Sequence, residues 1–187
     1  WMLEFASPLV KVTIVPRGRS LGAAWYLPEE RQLTTTEQMK DEICAALGGR
    51  AAESLFFNKV STGALSDLEK VTKQAYAMVS IYGLSPKLGN ISYYDSSGQN
   101  SGFTKPYSEE RAKLIDSEVS KLIEEQYNRA LKVLKENKKK VEELANALLS
   151  NEVIFKDNLI SIFGARKWTS YHEEKLEEEE SKTKKKK

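Results

Sequence analysis

The residues best placed to do chemistry lie in the run Ser61-Thr62-Gly63-Ala64-Leu65-Ser66-Asp67-Leu68-Glu69. A helical apolar spacing follows it, which puts Asp67 in a first turn, where unpaired N–H groups and the helix dipole favour an ionised carboxylate. The Thr62-Gly63 turn just before is suited to aim that carboxylate inward. Spacing alone leaves two readings open: a carboxylate ligand for a metal ion, or an ordinary acidic residue serving a helix N-terminus. A catalytic zinc takes three protein ligands and keeps a fourth position open. In one common arrangement two ligands are the histidines of an H-E-x-x-H helix and the glutamate between them accepts a proton. No such motif occurs in this sequence. The one histidine, His172, sits in a charged C-terminal stretch with nothing to orient it as a ligand. The one cysteine, Cys44, lies in the apolar run Ile43-Cys44-Ala45-Ala46-Leu47 and reads as a small buried residue.

Composition narrows the class. The chain has 187 residues, 40% hydrophobic and 30% charged, enough for one patterned domain with a tail. The 29 basic and 27 acidic residues leave a net charge of +2, which argues against a nucleic-acid binder driven by bulk charge. A single cysteine excludes an internal disulfide and suits a reducing compartment. No apolar run reaches the roughly 18–20 residues of a membrane span and no signal peptide is visible, so the chain as given reads as soluble. A first residue of Trp in place of Met reads as a cut piece of a longer chain.

Several elements must position these groups. Residues 1–9 read as a helix remnant ended by Ser7-Pro8. Val10, Val12 and Ile14 alternate with Lys11 and Thr13 as a half-buried strand, and after the turn Pro16-Arg17-Gly18 a second strand runs from Leu21 to Leu27. Its opening, Gly22-Ala23-Ala24, implies close approach by another backbone. That neighbour is either a helix of the same domain or an extended peptide adding to the edge. A helix capped within Thr34–Thr36 buries Met39, Ile43, Ala46 and Leu47, and Gly48-Gly49 is expected to weaken or break it before Arg50–Phe57 resumes. Ala64–Tyr82 forms the helix carrying Asp67, closed by Gly83. Residues 89–106 read as a long loop with one short strand at Ile91–Tyr94. Three helices follow: Pro106 to about Asn137, about 138–150, and Lys156 to Phe163. The expected fold is therefore mainly α, with a small N-terminal β-hairpin or sheet and an all-helical C-terminal subdomain. Residues 165–187, with opposed blocks Glu177–Glu180 and Lys184–Lys187, read as a charged disordered tail after a domain of residues 1–164.

Five segments in register give the chain a family resemblance. They are Val10–Gly18, Leu47-Gly48-Gly49-Arg50-Ala51-Ala52-Glu53, Ser61–Glu69, Tyr82-Gly83-Leu84-Ser85 and Lys105-Pro106-Tyr107-Ser108. Together they resemble the C-terminal peptidase domain of FtsH-type, membrane-anchored AAA zinc proteases over roughly residues 1–165. The resemblance implies that Asp67 is a zinc ligand, and that the family's two histidine ligands and catalytic glutamate belong upstream of Trp1. On that reading these 187 residues alone are inactive. It implies that polypeptide substrate lies along the edge strand Gly22, Ala23, Ala24, Trp25, Tyr26, with loose sequence preference because backbone pairing ignores side chains. It also implies a homo- or hetero-hexameric ring and an upstream ATPase module that binds ATP. No P-loop occurs in these residues. Membrane segments would precede that ATPase, with this domain on the cytoplasmic, matrix or stromal side, degrading membrane and soluble proteins in protein quality control. The chain departs from the family at Phe5-Ala6-Ser7, where members often carry His-Ala-Asp; those positions are not ligands. The rival expectation, prompted by the absent H-E-x-x-H, is a non-catalytic helical ring-assembly module.

Overall fold

A computed structural model describes residues 1–18, 20–27, 33–94 and 106–168. Its elements run β1 (Leu9–Thr13), β2 (Ala23–Tyr26), α1 (Thr36–Ala46), α2 (Gly48–Ala52), α3 (Leu65–Tyr76), α4 (Glu109–Glu136), α5 (Lys138–Asn151), β3 (Val153–Phe155) and α6 (Lys156–Phe163). Two π-helical stretches, Glu53–Phe57 and Ala77–Ile81, extend α2 and α3, and a 3-10 turn, Thr62–Ala64, leads into α3. The mainly α expectation with a small sheet is met. The chain divides into two compact units, one from residues 34–135 and one from residues 1–33 together with 136–187.

In the contiguous unit, α1 starts where its capping residues dictate. The Thr35 hydroxyl accepts from Gln38 N at 3.3 Å, and Thr35 N donates to Gln38 Oε1 at 2.7 Å. Met39, Ile43, Cys44 and Leu47 are then buried. Gly48-Gly49 does not end the helix: it is interrupted only at Leu47 and resumes at Gly48. The stop comes at Asn58, whose left-handed conformation (φ 49°) terminates the π stretch. Along α3 and its π extension, Val71, Ala75, Met78 and Val79 are buried, and Gly83 closes the segment at φ 64°. The longest helix begins at Glu109 and not at Pro106, because Ser108 caps it: Arg111 N donates to Ser108 Oγ at 3.3 Å. Ile115, Val119 and Ala130 form its buried stripe. One buried charge sits in this interior: Asp41 of α1 pairs with Arg129 of α4, and Arg129 also donates to Gln126 Oε1 at 3.3 Å. The strand expected at Ile91–Tyr94 is absent; Tyr93 N donates once, to Ser80 O at 2.8 Å, which makes no ladder.

The second unit is built on a three-stranded antiparallel sheet ordered β2-β1-β3. Its core joins Leu148, Ile154 and Leu159 to Trp1, Leu9, Val12, Leu144, Ala147 and Phe163. β3 interrupts the helices expected there, pairing Val12 with Ile154. The junction with α5 is tight: Ile14 N and Thr13 Oγ1 both donate to Glu152 O, at 3.0 and 2.9 Å, and Glu152 takes a left-handed φ of 59°. Residues 1–8 are not a helix remnant but irregular chain held by side chains. Arg166 Nη2 donates to the carbonyls of Leu3, Glu4 and Ala6 at 3.1, 2.9 and 2.7 Å, and Trp1 Nε1 donates to Gly164 O at 3.0 Å. These bonds take up carbonyls that an N-terminal helix would have paired internally. Most of the tail, residues 169–187 with His172, lies outside the described residues.

Candidate functional site

Asp67 occupies the first turn of α3, as its position in the sequence implies. Its carboxylate is exposed and makes no hydrogen bond or ion pair among the described residues. Nor does it cap the helix. The chain enters α3 through the 3-10 turn, and the residue at the cap position is the buried Ala64, which makes no side-chain cap bond. The carboxylate is thus uncommitted, held on a rigid element close to unpaired helix N–H groups.

The approach to Asp67 is braced from α2's extension. Glu53 accepts from Ser61 N at 3.1 Å and from the Ser61 hydroxyl, while Arg50 Nη1 stands 3.8 Å from Glu53. Ser61 Oγ in turn accepts from Gly63 N at 3.1 Å. The two bonds from Ser61, side chain first and backbone second, hold the Glu53 carboxyl below its ordinary range, with Arg50 adding to the effect. The Gly-Gly-Arg segment therefore acts at a distance in sequence: through Glu53 it fixes the loop that carries Asp67. Sequence reading gave Glu53 no role, although an acid facing a Ser/Thr-rich loop is a usable signal. Phe57, Val60 and Leu65, at 74, 58 and 73% exposure, surround this stretch with solvent-facing apolar side chains.

The second expected site, the edge strand, is in the other unit. β2 covers Ala23–Tyr26, shorter than the Leu21–Leu27 expected, and is the end strand of the sheet. All four residues are exposed. Gly22 precedes the strand, and its need for glycine is internal: a Cβ there would stand 2.6 Å from the Thr13 carbonyl oxygen. The close neighbour at Gly22 is therefore the backbone of β1.

A zinc centre is tested by what could ligate it. Among the described residues no group of three or more His, Cys, Asp or Glu side chains gathers. Asp67 suits one ligand position, a free carboxylate on a braced turn, but the described residues do not complete a site. Cys44 is unsuited, since burial raises its thiol pKa and only 2% of the residue is exposed. An open groove of about 330 Å³ in the contiguous unit is lined by Met78, Leu84, Lys87, Glu118 and Leu122, with Lys87 Nζ 2.6 Å from Glu118 Oε1. It includes neither Asp67 nor any β2 residue.

Comparison with known proteins gives the class. Residues 1–162 match the model of peptidase family M41, and the chain belongs to that family. An ATP-dependent zinc metalloprotease FtsH of Parabacteroides distasonis is 64% identical over 180 residues, 96% of this chain and 26% of that protein. The FtsH protein of Karelsulcia muelleri is 58% identical over 163 residues, 87% of this chain and 26% of the relative. A mitochondrial inner membrane m-AAA protease component of Mus musculus is 47% identical over 166 residues, 89% of this chain and 21% of the relative. The chain thus spans about a quarter of the length of the relatives it matches.

Proposed function

We propose that this chain is the peptidase portion of an ATP-dependent zinc metalloendopeptidase, with Asp67 as a carboxylate ligand of the metal. The observation that carries this reading is the Asp67 carboxylate itself: exposed, unpaired, and held by a loop that Glu53 fastens. A side chain with neither a capping nor an ion-pairing partner among the described residues is spare for a ligand. The remaining ligands and the proton-accepting glutamate come from residues outside this chain, in keeping with the relatives named zinc metalloproteases. Zinc in such a site supplies Lewis acidity to hydrolysis. What the chain's own residues do is position: Glu53 and Ser61 fix the loop, α3 fixes the carboxylate, and β2 is the end strand of the sheet, along which an extended polypeptide would lie.

The same reading extends to the whole protein: a membrane-anchored homo- or hetero-hexamer in which an ATPase module binds ATP, unfolds substrates and feeds them to this domain on the cytoplasmic, matrix or stromal side. Among the described residues no helix is long and apolar enough to cross a membrane. The test is Asp67→Ala in the full-length protein, measuring bound zinc and hydrolysis of an unstructured polypeptide. Both should fall at least tenfold while ATP hydrolysis persists. Retention of zinc and hydrolysis together would remove Asp67 from the site.

A further inference from the structure

Arg166 holds more than its own loop. It lies two residues past Gly164, which ends α6 at φ 83°. That exit is braced: Gly164 N donates to Ile160 O at 2.8 Å, and Lys140 Nζ of α5 donates to Phe163 O at 3.1 Å. From this anchored position the Arg166 guanidinium reaches the other end of the chain. One nitrogen, Nη2, donates to Leu3 O, Glu4 O and Ala6 O. Arg166 Nε is buried with no acceptor among the described residues, so the group has a further donor to give.

The carbonyls it gathers lie in the stretch that leads into β1. Three of them, within four residues, turn toward one cation. Carbonyls without an internal partner collect in this way where a chain leaves the last turn of a helix, and an arginine placed there satisfies them and complements the helix dipole. The same stretch is pinned a second time: Trp1 Nε1 donates to Gly164 O at 3.0 Å, and the Trp1 ring packs on the core of Leu148, Ile154 and Leu159. Leu3 is buried as well. Any segment N-terminal to Trp1 therefore departs from a point fixed by the residues that follow α6.

We propose that Arg166 is a positioning residue for the metal centre: by clamping Leu3, Glu4 and Ala6 it fixes the exit of the upstream segment that supplies the remaining zinc ligands. The inference rests on the reading of this chain as the peptidase portion of a zinc endopeptidase whose other ligands precede Trp1. Arg166 touches neither metal nor substrate. It acts by reducing the freedom of the ligand-bearing segment, so its loss weakens zinc binding while leaving the chemistry of the loaded site in place. Three carbonyls on one planar, permanently charged group also explain an arginine at this position.

The test uses the full-length protein and measures its zinc dissociation constant by competition with a chromogenic chelator. Arg166→Met should weaken zinc binding about tenfold, and Arg166→Lys, which keeps a charged donor, should recover most of that loss. At saturating zinc, Arg166→Met should hydrolyse an unstructured polypeptide within threefold of the parent rate. Ile154→Val trims the core of the same unit and should leave zinc affinity unchanged. Should Arg166→Met not fold by circular dichroism, Arg166→Gln, with an uncharged and shorter side chain, carries the same comparison. A folded Arg166→Met or Arg166→Gln protein that binds zinc within twofold of the parent would reduce Arg166 to a structural tie and overturn the proposal. Equal weakening in Ile154→Val would overturn it too, by tracing the effect to general loss of stability. If instead the parent binds no zinc, or Asp67→Ala retains it in full, the zinc-peptidase reading itself fails and takes this one with it.

Discussion

Replacing Arg129 with Met should loosen the unit of residues 34–135 and expose Cys44 to reagent. The Asp41 side chain is only 2% exposed, while that of Arg129 is 40% exposed. Breaking a buried pair by removing one partner costs roughly 3–5 kcal/mol, because the remaining charge stays desolvated. The exposure of Arg129 means water already screens part of the attraction, which lowers the expectation to about 2–3 kcal/mol. Gln126, 5% exposed, loses its donor as well, so the lower bound is firm. Cys44 is a built-in reporter: it is the sole cysteine, 2% exposed, and its thiol feels both Arg129 and Asp41. When opening is fast relative to modification, the labelling rate follows the open population. At tenfold per 1.4 kcal/mol, labelling by a disulfide reagent should accelerate about 30- to 150-fold in Arg129→Met. Asp41→Asn keeps a hydrogen-bonding group without stranding a charge and should accelerate it less than tenfold. The double variant should fall well short of the product of the two. An Arg129→Met rate within threefold of the parent's, with an unchanged far-ultraviolet spectrum, would refute the buried-pair argument.

Three further substitutions probe the site and its supports. Gly22→Ala should destabilise the chain by about 1–3 kcal/mol in urea unfolding, because the added methyl meets a carbonyl oxygen at 2.6 Å and the backbone of β1 or β2 must shift; an unchanged midpoint would contradict the close approach. Glu53→Gln should speed amide exchange at Ser61 and Gly63. The Glu53 carboxyl is lowered in the folded state, so in the parent this hold is full above the unfolded value of 4.5 and fades as pH drops through the lower folded value. Exchange that is equally protected on both sides of that window would show that Glu53 does not hold the loop. Asp67→Ala should leave the stability of the chain within about 0.5 kcal/mol, since it removes no bond; a loss near the 1 kcal/mol typical of a cap would return Asp67 to a capping role.

Much of the helical frame could be read because local chemistry and packing agree. Thr35 and Gln38 announce the start of α1, Gly83 the end of the segment after α3, and the apolar spacing of α3 and α4 names the buried Val71, Ala75, Ile115 and Val119. The failures share a cause in partners distant along the chain. β3 is three residues long, too short to show alternation, and exists because β1 is there to pair with it. Residues 1–8 look helical by composition but surrender their carbonyls to Arg166, more than 150 positions away. Gly48-Gly49 carries a helix-breaking penalty of about 1 kcal/mol each, yet burial of Leu47 and Ala51 on either side carries the helix through. Asp67 could be located from its place in a helix's first turn, but that it neither caps the helix nor pairs among the described residues is a property of the folded chain alone.

The pairing of β1 with β3 also sets an order of events during synthesis. Thr13 bonds to Glu152 across 139 positions, and the residues between them include a whole unit contiguous in sequence. A ribosome therefore delivers α1 through α4 complete while the β1–β2 hairpin still lacks its third strand. A two-stranded hairpin is marginal in water, and its unpaired flank is an invitation to aggregate. The early strands of this chain must wait for α5, β3 and α6 to emerge, so the slowest step to the native state should be closure of that long loop. Stalling or truncating translation before Val153 would leave a folded helical unit tethered to a sticky, unfinished sheet.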